Sequence, residues 1–463
     1  MQKIGILGFG VVGKSVLSFL CEHVQGHVAV WDARSLSADE QKILDANGVE
    51  LIRSGMNEFV AFHDVVVASP GVDTTTCAEY GHKIIGELDL FAPMMHRPTV
   101  AITGSLGKTT ITKLLTVLAQ KALSSRTIFG GNIGVGMLDL IKLQDSFDCA
   151  FLELSSFQLE SNKTYAPDVA VWTNFYPNHL DRHKTIEAYF QAKFNLFRFQ
   201  RAGQQALFSF DLLQASIQDL LRDALPKLAS HVSFYTDKKP TQDQLASINL
   251  SEATVFYADN GWLYKTMVRN GLAQQAEMLC DIRTLPSISY LQNWVCVLAT
   301  LHLLGAQLEK IHDVIADNVL LDDHHHRLEH CGVVNGVDFY NDSKSTLIQA
   351  TQAAVAQCAQ QNRSIILILG GLGKGADRSP LMDFLKTVPQ IKAVYCYGPE
   401  CYGFAGACVH PTLESIVENI ATVMAPGDIV LFSPSGASFD FYKNYAHRGD
   451  VFKALVAALQ FKQ

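Results

Sequence analysis

The chain has 463 residues, of which 48% are hydrophobic and 18% are charged, and its formal net charge at pH 7 is −8. This length predicts about three domains, and the composition is typical of a folded protein and excludes a disordered one. The negative charge, without a long basic run, argues against nucleic acid or an anionic membrane as the main partner. We find no uninterrupted apolar run of about 18 residues, so we expect no membrane span.

The first segment begins with a predicted strand, residues 3–7, followed by Gly8, Gly10 and Gly13 and an amphipathic helix. This pattern is typical of a Rossmann-type βαβ unit. A second predicted strand ends at Asp32, about where dinucleotide-binding folds place a ribose-binding acid. NAD is therefore one candidate ligand, and a purely structural tight turn is the alternative. A third predicted strand, residues 65–68, is followed by Ser69, and the segment closes near residue 93.

The second segment begins with residues 103–110, which read Thr-Gly-Ser-Leu-Gly-Lys-Thr-Thr between an apolar strand and an amphipathic helix. Backbone N–H groups of a glycine turn and of a helix N-terminus can surround an anion. Lys108 adds a positive charge, and the Thr109 hydroxyl can hold Mg²⁺. The pattern predicts Mg-ATP binding. The loop is two residues shorter than the common P-loop, because Ile102 stands where that pattern has glycine.

Three polar residues of the second segment are candidates for metal chemistry. Glu153 ends an apolar strand, which is where α/β sheets place ligand groups. His179 follows a further strand, and Lys193 lies in an amphipathic stretch over residues 186–199. Carboxylates and imidazoles can bind Mg²⁺ or Mn²⁺, although imidazole is unusual for Mg²⁺. By default, however, a single histidine is a surface or hydrogen-bonded residue, and Lys193 on an amphipathic helix is a solvated lysine.

The rest of the chain continues the alternation of strands and helices. The polar stretch over residues 226–260 has little pattern, and we expect it to be peripheral. The third segment begins around Asp322 and holds predicted strands at residues 365–369 and 429–432. The order predicts an α/β fold. We expect three domains, residues 1–92, 93–322 and 323–463.

The ten cysteines lack the Cys-x-x-Cys spacing of zinc and redox motifs. Strand-like residues begin at Lys3 without a charged and then apolar leader. We therefore expect a cytoplasmic protein with reduced cysteines, and we expect it to be a monomer.

Seven short motifs, taken in order, resemble the Mur ligase family. They are Thr-Gly-Ser-Leu-Gly-Lys-Thr (103–109), Gly-Gly-Asn-Ile-Gly (130–134), Glu-Leu-Ser-Ser-Phe-Gln-Leu-Glu (153–160), Asn-His-Leu-Asp-Arg-His (178–183), His-Arg-Leu-Glu (326–329), Asn-Asp-Ser-Lys (341–344) and Ser-Pro-Ser-Gly-Ala-Ser-Phe-Asp (433–440). The third and sixth motifs and the stretch 433–450 are most similar to the members that add D-glutamate.

The resemblance implies three α/β domains: a Rossmann-like N-terminal domain, a central P-loop-type domain that binds mononucleotides, and a Rossmann-like C-terminal domain. It also implies an ATP-dependent amide ligase of peptidoglycan precursor synthesis. Such an enzyme adds D-glutamate to UDP-N-acetylmuramoyl-L-alanine through an acyl phosphate.

The resemblance further implies the residues that bind the two substrates. Those implied for the UDP-linked substrate are Gly8, Gly10, Gly13, Asp32, Arg34, Ser69, Asn132, Ser155 and Gln158. Those implied for D-glutamate are Lys344, Thr346, Lys374, Ser438, Phe439 and Tyr445. A small dicarboxylate needs cations and hydroxyls at fixed places, which lysine and serine side chains supply.

The remaining implied roles concern ATP and metal. The residues implied for ATP are Gly104, Ser105, Gly107, Lys108, Thr109, Thr110, Asn293, Arg327 and Asp342. Thr109 and Glu153 are implied to bind one Mg²⁺, and His179 to help hold a second. Lys193 matches the family lysine that reacts with CO₂ to become a carbamate able to assist metal binding. The implied catalytic residues are Lys108, His179, Lys193 and Arg327.

The sequence departs from the family pattern at several positions. Asn178 stands where aspartate is usual, which removes one negative charge beside His179. Of the family's stretch near adenine, residues 287–293 retain only Asn293. Leu106 and Leu347 replace asparagine, and Tyr445 replaces phenylalanine. Two alternatives to a ligase are therefore kept: a NAD-dependent oxidoreductase that uses the N-terminal glycine pattern, and a nucleotide-binding scaffold without catalysis.

Overall fold

The computed structural model describes residues 2–285, 289–308, 311, 325–373, 375 and 377–461. It divides into two compact units, Met1–Pro177 with Arg182–Leu320, and Asn178–Asp181 with Leu321–Gln463. The described strands form three sheets, two in the first unit and one in the second. The α/β class predicted from the sequence is confirmed. Within the described part of the chain, no helix has the length and apolar character needed to cross a membrane.

The first sheet is parallel throughout, in the order β3-β2-β1-β4-β5. Its strands are β1 Gln2–Leu7, β2 Gly26–Trp31, β3 Glu50–Leu51, β4 Val65–Ala68 and β5 Ile84–Ile85. The helices around it are α1 Val11–His23, α2 Ala38–Ala46, α3 Met56–Phe62 and α4 Glu87–Phe91, with a 3₁₀ helix at Thr75–Tyr80. This is the doubly wound arrangement that the N-terminal glycine pattern predicts.

The turn from β1 into α1 requires glycine at two positions. Gly8 has a φ of 84°, and a Cβ on Gly13 would lie 2.0 Å from the Gly8 carbonyl oxygen. Both glycines therefore serve the close approach of the strand end to the helix.

The second sheet has ten strands and is parallel from β7 to β12. Its main order is β14-β13-β12-β11-β10-β9-β6-β8-β7, and β15 pairs with β13. The strands are β6 Thr99–Thr103, β7 Thr127–Gly131, β8 Cys149–Glu153, β9 Val169–Trp172, β10 Gln205–Ser209, β11 His231–Thr236, β12 Glu252–Asp259, β13 Trp262–Arg269, β14 Leu272–Ala273 and β15 Glu277–Asp281.

The helices of this region are α5 Lys108–Ala122, α6 Met137–Leu143, α7 Ser156–Glu160, α8 Leu180–His183, α9 Ile186–Phe194, α10 Gln218–Ala224, α11 Gln242–Ala246 and α12 Leu291–Leu303. Short 3₁₀ helices occupy Phe210–Leu213 and Leu225–Lys227.

One expectation for this region is wrong. The stretch over residues 226–260 is not peripheral, because β11 and β12 are interior strands whose Phe234, Val255 and Phe256 are buried. Polar residues alternate with these apolar ones and hide the strand pattern. Within the amphipathic stretch over residues 186–199, α9 ends at Phe194, and Phe197 beyond it is also buried.

The third sheet has the order β16-β17-β21-β18-β19-β20, and only β16 is antiparallel to its neighbour. Its strands are β16 Glu329–Val334, β17 Val337–Asn341, β18 Ile365–Gly370, β19 Ile391–Tyr397, β20 Cys408–His410 and β21 Ile429–Phe432. Its described helices are α13 Ile348–Ala359, α14 Ser379–Lys386, α15 Leu413–Val423 and α16 Tyr445–Phe461, with a 3₁₀ helix at Cys401–Gly403.

The first two sheets share a continuous core. One apolar cluster runs from Ile6 and Phe9 through Phe91 to Leu138 and Leu159. The rings of Phe91 and Tyr165 also meet edge to face, with centroids 5.7 Å apart. The proposed boundary at residue 92 therefore lies inside one compact unit, whereas the boundary at residue 322 lies outside the described residues. The division into three domains stays a prediction.

Candidate active site

The loop after β6 has the geometry of an anion cradle. Gly104 has a φ of 149°, Gly107 has a φ of 81°, and α5 begins at Lys108. A Cβ on Gly104 would lie 1.9 Å from the Thr173 hydroxyl oxygen, so the close approach of β9 requires glycine there. The backbone N–H groups in the first turn of a helix point along its axis, away from the helix, so the start of α5 is suited to phosphate.

Thr173 and Asn174, which directly follow β9, hold this loop. No sequence pattern pointed to them. The Asn174 Oδ1 atom accepts hydrogen bonds from the backbone N–H groups of Ser105 (3.1 Å) and Leu106 (2.8 Å). The Thr173 hydroxyl donates to the Leu106 carbonyl at 2.7 Å. The loop is therefore preformed. The side chain at Leu106 plays no part in these bonds, because its backbone makes them.

Two lysines converge on the Gly104 carbonyl oxygen. Lys108 Nζ and Lys193 Nζ each donate to it, both at 2.8 Å. Lys193 is only 1% exposed. Burial lowers the pKa of the Lys193 ammonium well below its ordinary value, and the neighbouring Lys108 lowers it further, while Glu153 partly opposes both. Two ammonium groups so close together favour an anion between them or a neutral Lys193.

Glu153 lies at the end of β8, beside this cradle, and is buried. Its Oε2 atom accepts a hydrogen bond from the Thr109 hydroxyl at 2.6 Å, and its Oε1 atom accepts one from Asn132 Nδ2 at 2.8 Å. The Asn132 backbone N–H also donates to the Glu153 carbonyl at 2.9 Å. The structure thus brings Thr109, Glu153 and Asn132 together, although the three are far apart in sequence.

The loop after Glu153 contains Ser155 and Gln158. The Ser155 hydroxyl caps α7 by accepting from the Gln158 backbone N–H, and it donates to Gln158 Oε1 at 3.1 Å. Gln158 Nε2 donates to Oε1 of the buried Glu87 at 2.9 Å, and burial raises the pKa of Glu87. Glu87 therefore orients Gln158, and no sequence pattern pointed to it.

Asn293 lies in the first turn of α12 and reaches the cradle. A Cβ on Gly107 would lie 3.1 Å from its Oδ1 atom. Ser105 donates its hydroxyl to the Tyr176 carbonyl at 3.0 Å. Thr110 follows Thr109 in the first turn of α5. The residues predicted for ATP in the first unit therefore gather around one loop.

The glycine turn after β1 is closed by Asp32 and Ser69. Asp32 accepts hydrogen bonds from the Phe9 N–H at 2.8 Å and from Arg34 Nη2 at 2.9 Å, and the Ser69 hydroxyl donates to the Gly8 carbonyl at 2.9 Å. Burial raises the pKa of Asp32, but the hydrogen bonds from Arg34 and Phe9 outweigh it, so the net pKa is lowered. The Asp32 carboxylate is thus ionised and engaged in holding the turn.

In the second unit, Asp342 and Lys344 follow the carboxyl end of β17, and Ser438 and Phe439 lie after β21. Asp342 is 9% exposed, and burial raises its pKa to about 7. It accepts from the Ser433 hydroxyl at 2.7 Å, which links the two strand ends. Lys344 Nζ lies 3.6 Å from the centre of the Tyr445 ring, a cation–π contact.

The other residues predicted in this unit differ in exposure. Thr346 and Arg327 are half-buried, Ser438 is buried, and Phe439 is 69% exposed. His179 also belongs to this unit and has a φ of 56°. Lys374 lies outside the described residues.

Arg448 is a buried arginine to which we had assigned no role. It joins the loop after β17, at Ser343, to the loop after β21, at Gly436. Arg448 has no exposed surface. Its Nη2 and Nε atoms donate to the Ser343 carbonyl (2.7 Å) and hydroxyl oxygen (3.0 Å), and its Nη1 atom donates to the Gly436 carbonyl (2.9 Å). Ser343 in turn donates to the Tyr445 carbonyl at 2.8 Å. The only signal in the sequence was that Arg448 lies within the 433–450 stretch of the resemblance.

Comparison with protein families gives three matches along the chain. The MurD N-terminal domain matches residues 3–77, the Mur ligase middle domain matches residues 102–264, and the Mur ligase, glutamate ligase domain matches residues 326–436. The cradle, Glu153 and Lys193 lie in the middle match, and Asp342 lies in the third.

Relatives of known name match over nearly the whole chain. The UDP-N-acetylmuramoylalanine–D-glutamate ligase of Vibrio cholerae serotype O1 (strain El Tor Inaba N16961) is 32% identical over 466 residues, covering 98% of both chains. The ligase of the same name from Acidobacterium capsulatum is 30% identical over 473 residues, covering 99% of this chain and 96% of its own.

Solved structures agree on the fold. The MurF ligase of Thermotoga maritima in complex with ADP is 17% identical, covers 99% of this chain and 98% of its own, and has a TM-score of 0.57. A MurF structure from Acinetobacter baumannii is 15% identical, covers 98% and 93%, and has a TM-score of 0.58.

These matches give no support to an NAD-dependent oxidoreductase. Each family match and each of these relatives is a Mur ligase. The chain belongs to the Mur ligase family, in its group of UDP-N-acetylmuramoylalanine–D-glutamate ligases (MurD).

Proposed function

We propose that the protein joins D-glutamate to UDP-N-acetylmuramoyl-L-alanine at the expense of ATP, in cytoplasmic synthesis of peptidoglycan precursors, and that it acts as a monomer. The observation that carries this proposal is the convergence of Lys108, Thr109, Glu153 and Lys193 on one phosphate cradle. The full-length similarity to D-glutamate ligases supports the choice of substrates.

The reaction follows from the chemistry of a carboxylate. A carboxylate does not accept an amine at neutral pH, because the leaving group would be oxide. The γ-phosphoryl group of ATP therefore passes to a carboxylate oxygen of the alanyl residue and forms an acyl phosphate and ADP. The amine of D-glutamate then forms the C–N bond, the C–O bond to phosphate breaks, and a proton leaves the nitrogen.

Lys108 makes the first step possible by screening charge. Transfer of a phosphoryl group between two anions is catalysed mainly by positioning and by preorganised positive charge. In the structure the Lys108 ammonium donates to the carbonyls of Gly104 (2.8 Å) and Ser105 (3.3 Å), at the mouth of the cradle. We assign it to the β- and γ-phosphates, and we assign Arg327 of the second unit to the same transferred group.

The residues beside the cradle fit Mg²⁺. The Thr109 hydroxyl and the Glu153 carboxylate lie 2.6 Å apart, which places two oxygen donors at one point. Mg²⁺ prefers oxygen ligands and takes most of them from water and substrate phosphates, so one carboxylate and one hydroxyl suffice. Mn²⁺ has similar preferences. The bound ion supplies further neutralisation of phosphate charge. We assign His179 to a second ion.

We propose that Lys193 is carbamylated. Its burial and its depressed pKa favour the neutral amine, whose nitrogen adds to CO₂ and then releases a proton. The product is an anion instead of a second cation beside Lys108. This change removes the repulsion between the two ammonium groups at the Gly104 carbonyl and provides an additional acceptor near Glu153.

The remaining assignments place the two substrates. We assign the UDP end to Gly8, Gly10, Gly13, Asp32, Arg34 and Ser69, and the muramoyl end to Asn132, Ser155 and Gln158. We assign the nucleotide to the cradle with Asn293 and Asp342, and D-glutamate to Lys344, Thr346, Lys374, Ser438, Phe439 and Tyr445. Of the three proposed domains, residues 1–92 then bind the UDP end, residues 93–322 bind the nucleotide and the muramoyl end, and residues 323–463 bind D-glutamate and contribute Arg327 and Asp342 to the nucleotide.

The test is phosphate release from ATP in the presence of UDP-N-acetylmuramoyl-L-alanine. D-Glutamate is compared with L-glutamate, L-lysine and L-alanine at equal concentrations. We expect release with D-glutamate alone, accompanied by a product heavier by one glutamyl residue. Equal release with all four amino acids, or none with D-glutamate, would overturn the proposal. Quenching of NADH fluorescence by the protein would instead favour the oxidoreductase.

A further inference from the structure

A second buried arginine of the second unit has no role in the assignments above. Arg378 directly precedes α14 and is only 4% exposed. Its Nη2 atom donates to the Gly371 carbonyl at 2.6 Å, and its guanidinium carbon lies 4.4 Å from the centre of the Phe404 ring. Its Nη1 atom is buried and has no hydrogen-bond partner within the described residues. A cation held in this way is costly, so its position needs a physical reason.

The partner of Arg378 completes a closed set of contacts. Glu400 Oε2 lies 3.4 Å from Arg378 Nη2, and the same oxygen accepts the Gly373 backbone N–H at 2.6 Å. The ion pair therefore holds the turn formed by residues 371–373 at both of its ends. A Cβ on Gly373 would lie 2.7 Å from Arg378 Nε, which shows how closely the arginine packs against this turn.

The 371–373 turn is joined to the loop that carries Ser438. The backbone N–H groups of Leu372 and Ala437 each donate to the other's carbonyl oxygen, both at 2.8 Å. On the other side of this loop, Arg448 holds the Gly436 carbonyl. The backbone on both sides of Ala437 is thus held by two buried arginines, one directly at Gly436 and one through the turn. Ser438 is the next residue.

We propose that Arg378, acting with Glu400, is a positioning residue for D-glutamate: it fixes the 371–373 turn and, through the bridge between Leu372 and Ala437, the backbone that presents Ser438. This inference rests on the proposed function, which puts D-glutamate at Ser438. A displacement of a binding group by about 1 Å weakens a preorganised site strongly. Arg378 is buried behind the turn and acts through it, so we expect its loss to affect the D-glutamate site and to leave the ATP cradle unchanged.

The test compares Arg378→Met with a matched control, Arg363→Met. Arg363 belongs to the same unit and also pairs with a carboxylate (Asp338, 2.6 Å) and donates to a backbone carbonyl (Gly427, 2.7 Å). It precedes β18, so it lies at the opposite end of the sheet. We expect Arg378→Met to raise the KM for D-glutamate about tenfold, with the KM for ATP changed less than twofold. We expect Arg363→Met to change neither KM more than twofold.

Amide hydrogen exchange of the full chain gives a readout that needs no activity. We expect faster exchange at Leu372 and Ala437 in Arg378→Met, and unchanged exchange there in Arg363→Met. Glu400→Gln keeps an oxygen for the Gly373 N–H but removes the ion pair, and we expect it to raise the KM for D-glutamate about threefold. If Arg378→Met does not fold, Glu400→Gln tests the proposal instead, through its KM for D-glutamate and its amide exchange at Leu372 and Ala437.

The inference is overturned if exchange at Leu372 and Ala437 is unchanged, or if the KM for ATP rises as much as that for D-glutamate. It is also overturned if Arg363→Met gives the same loss. Failure of the proposed function gives a different result: the wild-type chain then shows no turnover with D-glutamate, while the exchange data still report whether Arg378 holds the turn.

Discussion

The cradle of the first unit and the glutamate loops of the second unit are built in different ways. The cradle is one continuous stretch of chain, in which Gly104, Gly107 and the start of α5 supply the geometry and Lys108 supplies the charge. The loops at Ser343 and Gly436 are far apart in sequence and depend on the buried Arg448 between them. A site whose geometry comes from one segment needs only local support, here from Thr173 and Asn174. A site made from two loops depends on the residue that joins them.

The largest effect is expected at Lys108, because the neighbouring Lys193 is an anion in the proposed carbamate and does not replace the Lys108 charge. Lys108→Ala should lower D-glutamate-dependent phosphate release by at least about 10³-fold, because charge on the transferred phosphoryl group is then unscreened. The measurement is kcat at saturating substrates. Lys121→Ala, at the exposed last turn of the same helix, is the control and should stay within about twofold. Near-normal turnover of Lys108→Ala would refute the assignment of the cradle.

The next effect concerns the carbamate proposed at Lys193. Activity of the wild-type chain should fall about tenfold or more in CO₂-depleted buffer and recover on addition of bicarbonate, because the anion beside Lys108 forms reversibly. Lys193→Arg places a permanent cation there that cannot form the carbamate, so it should lose about 10²-fold in kcat and should not respond to bicarbonate. If the wild-type rate does not change with bicarbonate even after long incubation, the carbamate proposal is wrong and Lys193 is an ordinary buried amine.

Arg448 tests whether the glutamate loops depend on their link. Arg448→Met leaves the buried carbonyls of Ser343 and Gly436 without donors and should lower the free energy of unfolding of this unit by about 2 kcal/mol. Urea denaturation, monitored by amide hydrogen exchange within this unit, measures this loss. The KM for D-glutamate should rise in parallel, whereas ATP binding by the cradle should not change. Equal losses of ATP and D-glutamate binding would mean that the two sites are not built independently.

The smallest effect is a pH dependence at Asp342, whose pKa burial raises to about 7 in the folded chain. An unfolded aspartate has a pKa of about 3.9, so between about pH 4 and pH 7 the folded state binds more protons. Stability should therefore fall as pH rises through this window, by about 1 kcal/mol between pH 6 and pH 7. Asp342→Asn should flatten this slope in urea titrations without ligands, and Asp383→Asn, at an exposed site, should leave it unchanged.

The fold could be predicted where the local pattern was strong. The strands at residues 65–68 and 429–432 match β4 and β21, since each is a short apolar run bounded by turn residues. The interior strands β11 and β12 were missed, because serine, threonine and tyrosine alternate with their apolar residues.

The sequence by itself determined the cradle, the glycine turn after β1 and membership of the ligase family, because each depends on residue types at fixed short spacings. Only the tertiary structure revealed Asn174 behind the cradle, Glu87 behind Gln158, and Arg378 and Arg448 behind the glutamate loops. Those residues act by hydrogen bonds to backbone or amide groups that are distant in the chain. Such a bond requires only a donor and an acceptor about 3 Å apart, and no spacing along the sequence encodes that distance.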